Sequence, residues 1–167
     1  MYKVFGKGGE KMKNYTINNH TLAIIPIGNN RSKVYETNNV LIIEKSCKKI
    51  IEDSCEYYGS TYEGRRKGTV NLIGITHKTP IVVENSQSII FFPTSSPRSK
   101  DCTWISLNNL DMYAPFDTDS TIRFQNNLTI KLPISSKIIN NQVLRATRLE
   151  SVIKKKEKIL RDSSKIV

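Results

Sequence analysis

The sequence predicts an α+β fold: antiparallel β-strands with one inner helix and a long C-terminal helix. Three observations carry that reading. Short apolar runs of period two, punctuated by Asn, Gly and Pro, recur from Tyr15 to Leu132. One segment, Cys47 to Tyr58, switches to helical spacing. From Ser135 onward a second helical pattern runs without a proline or glycine. At 167 residues and 38% hydrophobic content, the chain is one domain long and can bury a sizeable core.

Residues 1–13, with three glycines, read as a flexible leader, and Met12 offers a second start. Tyr15-Thr16-Ile17 and Thr21 to Ile27 are strand-like around Asn18-Asn19, and Val34 to Glu36 faces Val40 to Glu44 around Thr37-Asn38-Asn39. Ser46 has the chemistry of an N-cap. Behind it Cys47, Ile50, Ile51, Cys55 and Tyr58 share one helix face, while Lys48, Lys49, Glu52, Asp53 and Glu56 take the other. Gly59 reads as the helix stop. The stretch Gly59 to Gly68 then reads as a glycine-punctuated loop. Strands follow at Thr69 to Thr76, Ile81 to Glu84, Ser88 to Phe92 and Thr103 to Leu107. A hairpin joins Thr121–Gln125 to Leu128–Leu132 through Asn126-Asn127. In the last helix, behind Ser135, Ile139, Val143, Ala146, Leu149 and Ile153 form a stripe at spacings of three and four. Residues 154–167 leave mostly lysines, a basic helical tail.

Charge narrows the function. The chain carries 26 Lys and Arg against 15 Asp and Glu, a net +11, which suits a polyanionic partner. Richness in Ile, Asn and Lys also follows from A/T-rich codons, so position matters more than the total. Residues 145–167 carry +5 and residues 1–46 carry +4, whereas 101–144 carry −1. The three cysteines are odd in number and lack CxxC spacing, which points to a reducing cytoplasm. No apolar run is long enough to span a bilayer, and the N-terminus lacks the apolar segment of a signal peptide.

The Gly59–Thr69 stretch is the strongest local signal, because it sets Arg65, Arg66 and Lys67 among glycines and hydroxyls that let a phosphate approach. Its Gly59-x4-Gly64 spacing resembles a nucleotide P-loop. However, Arg65-Arg66 stands where Lys-Ser/Thr is required, and a helix rather than a strand precedes it. A capped helix followed by a solvated basic turn explains the same residues. Arg98 and Lys100 stand in a second basic loop, Pro93 to Lys100, which its prolines keep extended, and Lys78 stands before Thr79-Pro80. Arg145 and Arg148 share a face of the last helix and could follow a phosphate backbone.

Catalysis finds little footing. The alternative to a binding protein is a metal-dependent nuclease using Asp117, Asp119 and His77, although Asp117-Thr118-Asp119 is more simply a turn. Cys55, His77 and Cys102 make a zinc site only if the fold gathers them. A basic RNA-binding module is the third reading. No cofactor and no metal is expected.

One stretch, Cys55-Glu56-Tyr57-Tyr58-Gly59-Ser60-Thr61-Tyr62-Glu63-Gly64-Arg65-Arg66-Lys67-Gly68, resembles the most distinctive segment of the ComK competence transcription factors. Matching blocks follow in order at Gly74 to Ile81, Ile90 to Thr94, Cys102 to Ser106, Leu132 to Ser135 and Asn141-Gln142. The resemblance spans about residues 14–150, so residues 14–153 read as a single DNA-binding domain. It implies a cytoplasmic, nucleoid-associated activator of DNA-uptake genes that reaches RNA polymerase indirectly. It also implies homodimers that assemble further on paired A/T-rich boxes of double-stranded promoter DNA, read largely from the minor groove. Such a groove is narrow and strongly negative, which attracts inserted Arg. Assignment of DNA contact to Arg65, Arg66, Lys67, Lys78, Arg98, Lys100, Arg145 and Arg148 rests on the residues themselves and not on a family motif. Longer family members continue past the region matching Leu149 into a tail used for activation and for capture by a proteolytic adaptor. Lys154 to Val167 does not match that tail, which leaves adaptor control open.

Overall fold

A computed structural model describes residues 10–165; positions 1–9 of the expected leader, and Ile166 and Val167, lie outside the described residues. The α+β class holds, with two sheets and three helices among the described residues. The elements run β1 (Glu10–Met12), β2 (Thr21–Pro26), β3 (Ser32–Glu36), β4 (Val40–Ile43), α1 (Cys47–Tyr57) and α2 (Tyr62–Ile73). Then come β5 (Ile81–Glu84), β6 (Ile89–Pro93), β7 (Trp104–Ser106), β8 (Leu110–Phe116), β9 (Asp119–Phe124), β10 (Thr129–Leu132) and α3 (Ser136–Ser164). Seven strands form one sheet in the order β1-β4-β3-β2-β7-β6-β5, and β10-β9-β8 form a second. Every pairing is antiparallel except β1 with β4.

The large sheet is covered on both faces, and its strands sort their side chains accordingly. In β6, Ile89 and Phe91 enter one core with Ile50, Ile51 and Trp104, while Ile90 and Phe92 enter another. That second core is completed by Ile122 and Phe124 of β9 and by Ile139, Ala146 and Leu149 of α3. Double-sided cover explains why β6 is a continuous apolar run with every residue buried.

Both outer helices start where the sequence signals them. Ser46 Oγ accepts from Lys49 N at 3.2 Å, and Ser135 Oγ accepts from Ile138 N at 3.4 Å, each satisfying an open amide of the first turn. The stripe on α3 also packs as expected, with Ile139, Ala146 and Leu149 buried and Val143 and Ile153 half-buried. Beyond Ile153 the helix stands clear of the body, with Ile159 63% and Leu160 70% exposed.

Several expectations are corrected. Glu10–Met12, the end of the expected flexible leader, is strand β1, held against β4 in parallel register. Gly59 to Gly68 is not a loop, and Thr69 to Thr76 is not a strand, because α2 spans Tyr62–Ile73. Thr61 caps this helix, its hydroxyl accepting from Gly64 N at 3.0 Å, and Gly74 closes it at φ +72°. Glycine at 64 leaves room for that cap, since a Cβ there would stand 3.0 Å from Thr61 Oγ1. Tyr15 to Ile17 is irregular because its backbone bonds to side chains of the α1 segment. Ile17 N donates to Ser54 Oγ at 3.0 Å, and Tyr58 Oη donates to Ile17 O at 2.7 Å. Finally, β8 lies where the sequence pattern predicts no strand. Its Pro115 is a strand-breaker in a central position but is tolerated on the edge β8 occupies.

Two truncations and one substitution test this layering. A chain ending after Ile153 should melt cooperatively at the parent temperature, since the removed turns are exposed. A chain ending before Asn140 loses Gln142, Ala146 and Leu149 and should lose the cooperative melt. Leu149→Ala should cost about 2–5 kcal/mol in denaturant unfolding.

Candidate nucleic-acid interface

One face of the molecule gathers the first turn of α1, the outer side of α2, the connection 74–80 and the connection 94–103. A cavity of about 560 Å3 there is lined by Lys48 from α1, Arg66 from α2, His77, Lys78 and Arg98. An adjoining cavity of about 670 Å3 shares Lys48 and Arg98 and adds Lys100 together with Arg31 at the β2–β3 turn. Among the described residues, six cations therefore line one continuous groove, and Glu63 is its single lining carboxylate.

Each part of the groove is held by the fold. Glu63 and Arg66 sit three apart on α2, and Arg66 Nη2 lies 2.9 Å from Glu63 Oε1. The Arg66 hydrogen bond holds the Glu63 carboxyl below its ordinary range. Lys48 stands over the Tyr62 ring, 5.5 Å from its centroid, and pairs with Glu52 at 3.5 Å. Burial pushes the Tyr62 phenol up to about 12, so it stays neutral. Lys78 has φ +50°, and Gln142 of α3 fixes that strained turn. Gln142 Nε2, itself buried, donates to Lys78 O at 2.8 Å and to Pro93 O at 2.7 Å. Arg145 Nη1 adds a bond to His77 O at 3.0 Å. Across the base of the second loop, Thr94 N donates to Thr103 O at 2.9 Å and Thr103 N to Thr94 Oγ1 at 3.2 Å.

Of the residues singled out by sequence, Arg66, Lys78 and Arg98 meet in one cavity and Lys100 lies in the next. Arg145 reaches the rim through His77. Lys67 and Arg148 are exposed but line neither cavity. Arg65 faces inward. Its Nε is buried without a hydrogen-bond partner, and its charge acts on the Cys55 thiol of α1 and the Glu84 carboxyl of β5. Sequence reasoning missed Lys48, taken for the solvated side of α1, and Arg31, which stands in the Gly28-Asn29-Asn30 turn.

The acidic and thiol candidates are arranged differently. Asp117 and Asp119 flank the β8–β9 turn, where Asp119 pairs with Lys131 at 3.5 Å. Cys47, Cys55 and Cys102 are free and buried, and burial raises all three thiols, Cys47 to about 12 and Cys55 to about 11. Among the described residues, no three His, Cys, Asp or Glu side chains come together as a metal site, and no helix is long and apolar enough to cross a membrane.

A family model described as ComK protein matches residues 12–158. The chain belongs to the ComK family. A curated relative, the competence transcription factor of Bacillus subtilis (strain 168), is 35% identical over 144 residues, covering 84% of this chain and 75% of that protein. No solved structure matches the chain. Within this ComK-family chain, the matched region takes in every cation of the groove and all but the last turns of α3.

Gln142→Ala tests how the groove is held. It leaves two carbonyls without their donor, so denaturant melts should show a loss of about 1–3 kcal/mol, with faster amide exchange around Lys78. Arg98→Ala removes an exposed charge and should stay within about 0.5 kcal/mol of the parent.

Proposed function

We propose that this chain is a sequence-selective, double-stranded DNA-binding transcriptional activator of competence genes. The observation that carries the reading is the basic groove of Arg31, Lys48, Arg66, Lys78, Arg98 and Lys100 in a chain 35% identical to a competence transcription factor. Cations from five separate parts of the chain converge on one face, which is the electrostatic footprint of a phosphate backbone. Arg145 extends that footprint along α3, and Lys67 and Arg148 add exposed charge outside both cavities. Arg65, half-buried and outside both cavities, stands apart from this footprint.

In this reading the chain acts as a homodimer that assembles further on paired A/T-rich boxes. Readout is largely from the minor groove, where inserted Arg is favoured by the negative potential of A/T tracts. Degenerate readout there leaves part of the specificity to box spacing and protein symmetry. RNA polymerase is engaged indirectly.

A gel-shift series with a two-box A/T duplex, a scrambled duplex and a structured RNA tests the proposal. The two-box duplex should bind tightest and be released by distamycin. Log affinity should fall linearly with log salt at about −0.9 per phosphate contact, and Arg66→Ala and Arg98→Ala should each make that slope shallower by about 1. Preference for RNA, or indifference to distamycin, would sink the double-strand or the minor-groove assignment. Magnesium-dependent cleavage of the probe would revive the nuclease.

A further inference from the structure

The groove cations explain affinity, yet phosphate contacts carry no sequence information. One segment at the rim has different chemistry. The β2–β3 turn, Gly28-Asn29-Asn30-Arg31, lines the larger cavity beside Lys48, Arg98 and Lys100. Its shape is set by the backbone: Ile27 N donates to Arg31 O at 3.1 Å, Gly28 lies at φ +86° and Asn30 at φ +51°. Arg31 is steadied by Glu44 at 3.3 Å.

The two asparagines are exposed, and neither side chain has a hydrogen-bond partner among the described residues. Several other turn asparagines, by contrast, fasten the fold. Asn126 Nδ2 donates to Thr37 O at 2.9 Å, and Asn109 Nδ2 donates to Asn19 O at 3.0 Å and to Thr21 O at 3.1 Å. Asn18 Oδ1 accepts from His20 N at 2.9 Å, and Asn39 Oδ1 accepts from Val40 N at 2.9 Å. Asn29 and Asn30 thus present free amides, each with donor and acceptor side by side, over a floor of cations. In the minor groove A·T pairs present the acceptors adenine N3 and thymine O2, to which an asparagine amide N–H can donate from the tip of a turn.

We propose that the β2–β3 turn is the base-reading element of the interface: Asn29 and Asn30 contact base edges while Arg31 and the cations behind it hold the backbone. The inference rests on the DNA-binding reading and assigns its specificity to residues outside the Arg65–Lys67 segment.

The test compares the parent chain, Asn29→Ala/Asn30→Gly and Lys100→Ala. The glycine preserves the left-handed backbone at position 30. Probes are a duplex selected by the parent from a randomised pool and a scrambled duplex of equal composition. The double variant should keep the parent melting temperature, its affinity for scrambled duplex and its salt slope. Its preference for the selected duplex should fall about tenfold or more. Lys100→Ala should weaken both duplexes equally. If the parent discriminates and the double variant discriminates as well, or if the double variant loses both duplexes equally, this inference fails alone. If the parent binds no duplex, the DNA-binding reading fails with it.

Discussion

The fold depends on burying β5, β6 and β7 on both faces. Ile89 and Phe91 need the α1 side covered, while Ile90 and Phe92 need the side covered by α3 and the three-stranded sheet. Removing either layer exposes alternate side chains along the same strands, so neither half is a separate unit. This is why β6 contains no polar residue, and why α3 must pack through Ile139, Ala146 and Leu149 before any of its charge becomes useful.

The same double cover positions the basic groove. The connections leading into β5 and out of β6 emerge at one end of the central strands, and Gln142 ties them together from α3 by bonding Lys78 O and Pro93 O. A buried amide that joins a turn to a strand end is more demanding than an apolar contact, because the Pro93 carbonyl lies out of water and needs the donor. Packing of α3 and placement of the cations are therefore one problem with one solution. The helix that closes the second core also sets the turn carrying His77 and Lys78, and Arg145 follows it one turn later.

Much of the fold was legible in local sequence, because local chemistry decided it. Ser46 and Ser135 are hydroxyls placed before helical stripes, and both cap. Asn126-Asn127 closes a hairpin, with Asn127 at φ +68°. What escaped was decided elsewhere. Gly64 and Gly68 read as loop residues, yet α2 forms because Thr61 caps it and Thr69 Oγ1 reaches Pro80 O at 2.9 Å, a contact invisible from α2 alone. Similarly, Pro115 conceals β8 until its edge position is known. The candidate site was half legible. Arg66, Lys78 and Arg98 stand out as basic residues near glycine or proline, but their convergence comes from topology. Lys48 and Arg31 have no such signature, since a lysine on a polar helix face and an arginine in an asparagine turn are ordinary solvated residues until the loops close around them.

The ion pairs of the groove have a consequence for selectivity among polyanions. Arg66 rests on Glu63 at 2.9 Å, Lys48 on Glu52 at 3.5 Å and Arg31 on Glu44 at 3.3 Å. Half of the groove cations thus already hold an internal counter-charge, and an incoming anion must displace a tethered carboxylate as well as free salt. Dispersed or singly charged anions gain little from that exchange, whereas a dense, regularly spaced polymer can displace all three together. A protein carrying +11 is in this way partly self-quenched until it meets a ligand whose spacing matches its own.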